Sequence, residues 1–463
     1  MNEKREGSYG QGDASSDGRD NAVAHDAVFG DITSGGPNYR SVEWLGTSVL
    51  MMKTQIGLGV LSIPSVFDTL GMVPGVVLLC AIGGITTWSD FMVGNFKLRH
   101  PQVYGIDDAG ELMFGRVGRE VLGAAFCLLF TFTSGSAMLS ISIALNALST
   151  HATCTAVFVA VAAVVGFGLS SLRTLGRISG LAWVGITSIV VAVLTVTVAV
   201  GLQDRPAAAP RDAVWKSDFK VVNTPTFTQA TGAISSLVFS YAGTPAFFSI
   251  AAEMREPRLY SRALVLCQSV VTVVYVAVGV VVYYYCGSYV SSPALGSAGP
   301  AVKKVAYGLA LPGLVVSAAV MLHLASKHIF VRVLRGSEHL AANTFVHWST
   351  WLGCTFTVTL VAYLIASGIP VFNSLISLIG ALLGTMISFQ PMGCMWLYDN
   401  WAKGGQAPTT RWYLMVAWSC FVVASGTFLT IAGTYSAVVG IIDDYSRSGG
   451  SAAWSCADNS NSS

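Results

Sequence analysis

The most constraining feature of the sequence is an interruption in its first long apolar segment. Residues 54–64 read TQIGLGVLSIP, which sets Gly57, Gly59 and Pro64 inside that segment. A helix in lipid must pair its backbone N–H and C=O groups internally, because hydrocarbon offers no partners. Glycine weakens a helix and proline removes a donor. The run therefore predicts a helix broken near the bilayer midplane, with close helix packing at glycine as the alternative.

The composition places most of the chain in lipid. Of the 463 residues, 53% are hydrophobic and only 11% are charged, whereas soluble domains carry about 25% charged residues. The lipid bilayer is therefore a predicted partner. The net charge of +2 argues against nucleic acid as a partner, and the sequence indicates neither a cofactor nor an obligate protein partner. Cys154, Cys286 and Cys456 fall near predicted outer ends, which leaves an external disulfide open.

Eleven apolar segments are long enough to cross about 30 Å of hydrocarbon. We therefore predict an all-α integral membrane protein with eleven transmembrane helices. The predicted spans are residues 43–69, 72–97, 118–148, 153–172, 178–202, 228–254, 262–289, 302–334, 345–367, 370–398 and 412–440. The last third of the 302–334 segment is amphipathic and is expected to leave the membrane.

The remaining sequence forms two tails around a transporter-sized domain at residues 43–440. Residues 1–42 are polar and without periodicity, which predicts a disordered tail, and residues 441–463 form the second tail. Lysine and arginine are concentrated in the loops on the N-terminal side of the membrane, so the N-terminus is predicted to be cytoplasmic. An odd number of helices then puts the C-terminus and its tail outside the cell.

A second interruption lies in the sixth segment. Residues 239–245 read FSYAGTP, with Gly243 and Pro245 inside an apolar helix. This helix begins a second set of five, and the two sets (about 43–202 and 228–398) have opposite orientations in the membrane. Residues 412–440 are then an extra helix. Interruptions at matching positions of two inverted halves are the best sequence indication of a transport site near the midplane.

The two breaks predict a site for an amino acid zwitterion. The N–H groups of Leu58, Gly59, Val60 and Leu61 suit a carboxylate, because free N–H groups and the helix dipole favour negative charge. Carbonyls freed beside Gly57 and Gly243 suit the ammonium group. These carbonyls belong to Thr54, Gln55, Ser240, Tyr241 and Ala242, and the side chains of Thr54, Gln55, Ser240, Tyr241 and Thr244 can add hydrogen bonds. The alternative is that the hydroxyls bond back to their own helices.

Several longer motifs resemble one family. They are Lys53–Pro64, Gly105–Asp108, Tyr241–Pro245, Asn373–Gly380, Gly35–Arg40 and Gln390–Trp401. Together they resemble the amino acid/auxin permease family, and most closely the fungal neutral amino acid permeases of the methyltryptophan-resistance type. The resemblance implies a leucine-transporter-like fold with a 5+5 inverted repeat, and proton-driven uptake of neutral aliphatic and aromatic amino acids. It also implies that Phe132, Ser136 and Phe239 flank the pocket.

The coupling ion is predicted to be the proton. Sodium-coupled transporters of similar fold place paired hydroxyls on the eighth helix, where this chain has only Ser317. Lys53 is either a fixed cation that stands in for an ion or a side chain that snorkels to the inner headgroups. His323 is either a proton relay or a packed neutral imidazole.

Two buried acids complete the candidate residues. Asp90 is expected to pair with Lys53 or to face a polar seam. Glu253 is expected to form an inner gate with Arg255, together with Glu256 and Arg258.

These observations predict a plasma-membrane symporter that imports neutral L-amino acids with protons by alternating access. The alternatives are a vacuolar or sodium-coupled transporter of the same fold, or an amino-acid sensor. No nucleophile–base constellation stands out in the sequence, so we predict that the protein is not an enzyme.

Overall fold

The structure is a computed structural model. It describes residues 24–26, 30–32, 42–172, 175–206, 209, 215–340, 343–369, 371–404, 409–447, 454 and 456–460. Within the predicted N-terminal tail, β1 (Ala24–Asp26) pairs antiparallel with β2 (Gly30–Ile32). The rest of that tail, up to residue 41, lies outside the described residues.

The chain is otherwise helical, and most of its helix bounds lie within a few residues of the predicted segments, although the helix predicted from residue 118 begins at Ile106. The helices are α1 (Trp44–Gln55), α2 (Ile63–Leu70), α3 (Met72–Arg99), α4 (Ile106–Ser149), α5 (Thr155–Ser170), α6 (Leu175–Leu202), α7 (Phe227–Ser240), α8 (Thr244–Ala252), α9 (Tyr260–Cys286), α10 (Pro300–Leu334), α11 (Phe345–Gly368), α12 (Phe372–Leu378), α13 (Thr385–Ser388), α14 (Gln390–Gly404) and α15 (Thr410–Arg447).

Nine helical segments of the described chain are long and apolar enough to cross a membrane. They include α7 and α8 together and the region from α12 to α14. α5, at 16 residues, is shorter, and the first segment is divided into α1 and α2. The all-helical membrane architecture is thus confirmed, while the count of eleven spans stays a prediction.

Both predicted breaks are present, and local chemistry explains each. α1 ends at Gln55, a 3₁₀ turn covers Gly59–Leu61, and α2 restarts with Pro64 in its first turn. α8 likewise begins with Pro245 in its first turn. Proline suits these positions because the first N–H groups of a helix have no intrahelical acceptor.

The tenth segment is also interrupted, which corrects the prediction of one continuous span over 370–398. A π-helical stretch, Ile379–Gly384, follows α12, and a further irregularity at Phe389 separates α13 from α14. Gly380 lies directly against the backbone of Ser235 in α7, where any side chain would collide. The interruption lets this segment pack closely on α7, the N-terminal half of the second broken segment.

α10 is the central helix, and it packs against α4, α6, α11 and α5. Pro312 interrupts its hydrogen-bond ladder, and Ser188 of α6 repairs it. Gly313 N–H donates to Ser188 Oγ at 2.9 Å, and that hydroxyl donates to the Leu309 carbonyl at 2.5 Å. α10 continues without a break to Leu334. In its last third, Ser326, Lys327 and His328 are buried while Val333 is exposed, and the exit of this end from the membrane stays a prediction.

A disulfide anchors the end of the chain to the rest of the molecule. Cys154, before α5, is bonded to Cys456, whereas Cys286 is a buried free thiol. Asn459 adds hydrogen bonds to α4, at 2.7 Å from Asn146 and 3.0 Å from Ser142. Residues 456–460 therefore lie against the C-terminal end of α4 and the N-terminal end of α5.

Candidate functional site

The two breaks are in direct contact. Ser240 Oγ lies 3.2 Å from the Gly59 carbonyl oxygen, to which it donates. A Cβ atom at Gly59 would lie 2.6 Å from Ser240 Cα, closer than real contacts allow. Glycine is therefore required at this crossing, because only a bare backbone permits the approach. On the other side of the crossing, a Cβ at Gly243 would lie 3.0 Å from Gln55 Cγ.

A small cavity of about 20 Å³ lies beside the first break, between α1, α4, α7 and α10. The predicted substrate residues that line it are Thr54, Gln55, Gly57, Leu58, Phe239 and Ala242. The coupling candidates Lys53 and Ser317 line it as well. The structure thus brings together residues that lie up to 268 positions apart in the chain, from Lys53 to Met321.

Three lining residues were missed by the sequence analysis: Phe130, Thr133 and Met321. Phe130 and Thr133 lie on α4, close to the predicted Phe132 and Ser136. Phe132 and Ser136 do not line the cavity, although Ser136 is buried. The helix was identified correctly but its rotation was not, since buried residues occur on most of its faces and the apolar pattern does not fix the register.

The remaining predicted substrate residues lie off the cavity, and several use their polar groups elsewhere. They are Gly59, Val60, Leu61, Ser240, Tyr241, Gly243 and Thr244. Leu61 N–H donates to the Leu58 carbonyl at 3.1 Å. The Ser240 carbonyl, expected to be free, accepts a hydrogen bond from Tyr275 Oη at 2.8 Å. Tyr241 Oη lies 3.2 Å from Thr272 Oγ1, on the side of α9.

Unsatisfied polar groups are concentrated at the first break. The Gln55 amide is buried, and neither its oxygen nor its nitrogen has a hydrogen-bond partner among the described residues. In the same part of the chain, no backbone oxygen accepts from the N–H of Leu58 or Gly59. Thr54 Oγ1 instead donates to the Met51 carbonyl at 2.8 Å, so this hydroxyl bonds back to its own helix. Buried unpaired donors and acceptors are costly and are suited to bind a polar ligand.

Lys53 is the charged residue of the cavity. Its side chain is buried, with a relative exposure of 1%, so the snorkelling alternative is wrong. Nζ donates to Ser317 Oγ at 2.6 Å, and that hydroxyl donates to the Gly313 carbonyl at 2.9 Å. The ammonium group also lies 3.7 Å from the Cβ position of Gly57. The Lys53 amino group therefore lies between α10 and the first break.

Asp90 does not pair with Lys53, so the first of its two predicted roles is wrong. The structure supports the second role, in which Asp90 faces a polar seam. Its Oδ2 accepts from Gln268 Nε2 at 2.5 Å, and its carbonyl accepts from Tyr260 Oη at 2.8 Å. Both partners belong to α9. The buried carboxyl group thus lies in a polar seam between α3 and α9, and its Oδ1 has no partner among the described residues.

His323 is packed in the protein interior. Its ring meets that of Trp351 edge to face, with centroids 5.2 Å apart, and Nδ1 lies 3.4 Å from the Ser170 carbonyl. Nε2 has no partner among the described residues. This geometry fits the packed imidazole, while a role in proton transfer stays a prediction.

The inner gate differs from the predicted one. Glu253, at the end of α8, forms a buried ion pair with Lys327 of α10, whereas Arg255 is exposed and so are Glu256 and Arg258. Arg255 takes part through its backbone: its N–H donates to the Val42 carbonyl at 2.8 Å. Arg255 was the predicted partner because it is near in the chain, whereas Lys327 lies 74 positions away.

The Val42 bridge joins the ends of the two broken segments. Val42 N–H donates to the Glu253 carbonyl at 3.2 Å, and Val42 pairs with Met254 as in a parallel sheet. The residue that precedes α1 is therefore tied to the residues that follow α8. Together with the Glu253–Lys327 pair, this bridge ties the start of α1 to the end of α8 and to α10.

Comparison with solved structures identifies the fold. The chain superimposes on Mhp1, a nucleobase-cation-symport-1 family transporter in a closed conformation, with a TM-score of 0.55 over 91% of this chain and 94% of that one. It superimposes on a Na⁺-coupled sialic acid symporter in an outward-open state with a TM-score of 0.53 over 87% and 91%. The identities are 12% and 13%, so the likeness is one of fold.

Sequence comparison identifies the family. Residues 40–438 match the family described as transmembrane amino acid transporter protein. The chain is 33% identical to a transmembrane transporter of Gibberella moniliformis, over 92% of this chain and 89% of that protein. It is 32% identical to the N amino acid transport system protein of Neurospora crassa, over 91% and 90%. The chain therefore belongs to the transmembrane amino acid transporter family, the amino acid/auxin permeases, and is a transporter, not an enzyme.

Proposed function

We propose that this transporter is a symporter that imports neutral aliphatic and aromatic amino acids together with protons. The observation that carries the proposal is the cavity at the first break. It combines the unpaired Gln55 amide and the free N–H of Leu58 with the apolar side chains of Phe130, Phe239 and Met321. Polar groups at one end and aromatic or aliphatic walls at the other suit a zwitterion with an apolar side chain.

The charge of the cavity argues against a basic substrate. Among the described lining residues, Lys53 carries the one formal charge and there is no carboxylate. A basic amino acid would add a second cation beside the buried ammonium group without a compensating acid, which is unfavourable in a low dielectric. A zwitterion adds no net charge and can direct its carboxylate toward the cationic side.

Lys53 also supports protons over sodium as the coupling ion. Its ammonium group bonds to Ser317 and approaches the first break at Gly57. A cation already fixed there would repel a second one, and hard metal ions need several oxygen ligands. Asp90 is the buried carboxyl group that we assign to proton exchange, because its Oδ1 has no hydrogen-bond partner among the described residues and its helix, α3, packs against α8 of the second broken segment. His323 is the second candidate.

The transport cycle follows from the closed geometry. A cavity of about 20 Å³ has room for about one water molecule, so the surrounding helices must separate to admit an amino acid. We assign this motion to the two broken segments, which rock against the scaffold of α4, α5, α10 and α11. Inward release then requires the Val42 bridge and the Glu253–Lys327 pair to part. We place the N-terminus in the cytoplasm and the protein in the plasma membrane.

Uptake measurements test the proposal. Cells that express the protein should accumulate labelled phenylalanine or leucine, and a protonophore should abolish the accumulation. Replacement of sodium by choline at constant acidic pH should leave uptake unchanged. A competition series of unlabelled amino acids should favour neutral ones over lysine and glutamate. Binding without flux would instead indicate a sensor, and loss of uptake in choline would indicate sodium coupling.

A further inference from the structure

A second cavity lies away from the two breaks, where α3 ends and α14 approaches the start of α15. Its volume is about 480 Å³, far larger than the cavity at the first break. The two cavities share no lining residue. The second cavity, which we call the groove, is therefore separate from the proposed transport site.

One wall of the groove is apolar and aromatic. Trp88, Phe91 and Phe96 of α3 face Met395 and Trp396 of α14. Phe91 is 42% exposed, so the groove reaches the outer surface of the helical bundle, where lipid would surround the protein. The apolar wall therefore suits a hydrocarbon chain that enters from the bilayer.

The other end of the groove is polar and carries net positive charge. Arg99 and Arg411 line it together with one acid, Asp399. Both oxygens of that carboxylate are engaged: one lies 2.9 Å from Arg99 Nη1 and the other 2.9 Å from His100 Nε2. Arg411 is exposed and forms no ion pair with any residue that the structure describes. The guanidinium group of Arg411 is thus available to bind an anion.

We propose that this groove binds an anionic phospholipid. Its phosphate lies at Arg411 and Arg99, and an acyl chain covers the aromatic and methionine wall. Guanidinium groups bind phosphate through several N–H donors at once, and basic pockets between transmembrane helices hold anionic headgroups. Tryptophan at the rim is typical of the headgroup level of a membrane. Free phosphate would satisfy the arginines but leave the apolar wall uncovered, which favours the lipid.

The test measures lipid binding by the full-length protein purified in detergent. Titration with phosphatidylglycerol should raise the thermal unfolding midpoint, whereas phosphatidylcholine and inorganic phosphate should raise it much less. Arg411→Gln should weaken phosphatidylglycerol binding about fivefold, because one basic residue near a headgroup contributes about 1 kcal/mol. Arg411→Lys should retain most of the affinity. Arg116→Gln is the matched control, since Arg116 is exposed and does not line the groove.

Three results would overturn the proposal: equal shifts with phosphatidylglycerol and phosphatidylcholine, an equal shift with inorganic phosphate, or unchanged lipid affinity in folded Arg411→Gln. Because the readout is binding and not uptake, a negative result here leaves the proposed transport function untouched.

Discussion

The two breaks resemble each other in sequence but differ in what they supply. The first covers the residues between Gln55 and Ile63, leaves N–H groups without acceptors, and contributes Gln55 and Leu58 to the cavity. The second covers only three residues and satisfies its backbone locally, since Gly243 N–H donates to the Tyr241 carbonyl at 2.8 Å.

The difference shows that matching glycine–proline interruptions need not play matching roles. The first break presents polar groups to the cavity. The second supplies wall atoms from Phe239 and Ala242, a close crossing at Ser240, and a helix end whose Glu253 pairs with Lys327. The following predictions test this division of roles.

The largest effect is expected from Glu253→Gln, which removes one partner of the buried pair with Lys327. Breaking a buried ion pair on one side costs about 3–5 kcal/mol, because a charge stays buried without its counterion. We expect a lower thermal midpoint and weaker apparent affinity for external substrate, as the closed inner side is destabilised. Arg255→Gln, at an exposed position, should change stability by less than about 0.5 kcal/mol. Equal effects of the two variants on stability and apparent affinity would instead support the predicted gate between Glu253 and Arg255.

Gly59→Val should separate the two breaks. The new Cβ would lie 2.6 Å from Ser240 Cα, and backbone cannot move aside as a flexible side chain can. Overpacking of this kind costs about 1–3 kcal/mol, and we expect uptake to fall to background while the protein still reaches the membrane. Gly84→Val is the control, because a Cβ at Gly84 meets nothing within 4 Å. Normal uptake by Gly59→Val would show that the crossing is not needed.

Ser317→Ala tests the cation beside the first break. The substitution removes the acceptor that lies 2.6 Å from Lys53 Nζ and leaves the buried ammonium group short of a partner. Lost hydrogen bonds to buried charged groups cost about 1.5–3 kcal/mol, so we expect at least about a tenfold fall in uptake. Ser349→Ala, at an exposed position on α11, should transport normally. Unchanged uptake in Ser317→Ala would show that transport does not need the hydrogen bond between Lys53 and Ser317.

The smallest effect is expected from Tyr275→Phe at the second break. The variant removes the hydroxyl that donates to the Ser240 carbonyl at 2.8 Å. We expect a loss of about 0.5–1.5 kcal/mol in the free energy of unfolding and a modest fall in uptake, since this break supports the cavity without presenting its own polar groups. Tyr285→Phe, with a side chain 41% exposed, is the control. A collapse of uptake in Tyr275→Phe would mean that the second break binds substrate directly.

Much of the fold was predictable because hydrocarbon imposes simple rules on sequence. Long apolar runs predicted most helix bounds within a few residues, although α4 begins at Ile106 and not at residue 118. Gly57, Gly59 and Pro245 predicted both breaks. The interruption after α12 was missed, because Ile379–Gly384 is apolar and a π-helical turn leaves no proline as a signal. Gly380 and Gly384 were the available hint, but glycine is common in spanning helices.

The site was predicted only in part, for a related reason. Residues adjacent in the chain to a break were easy to propose, and Thr54, Gln55, Gly57 and Leu58 do line the cavity. The direction of the α4 side chains and the partner of Glu253 could not be predicted from the sequence. Both depend on how helices that are distant in sequence rotate against each other.

The sequence by itself determined that this chain is a helical membrane protein with two interrupted segments, because an unpaired backbone N–H or C=O group in hydrocarbon is energetically costly wherever the segment lies. Only the tertiary structure decided that Lys53 bonds to Ser317 and that Glu253 bonds to Lys327. It also decided that the first break, and not the second, presents unpaired polar groups to the cavity. Such pairings join residues 264 and 74 positions apart in the chain and are selected by packing, which no local pattern encodes.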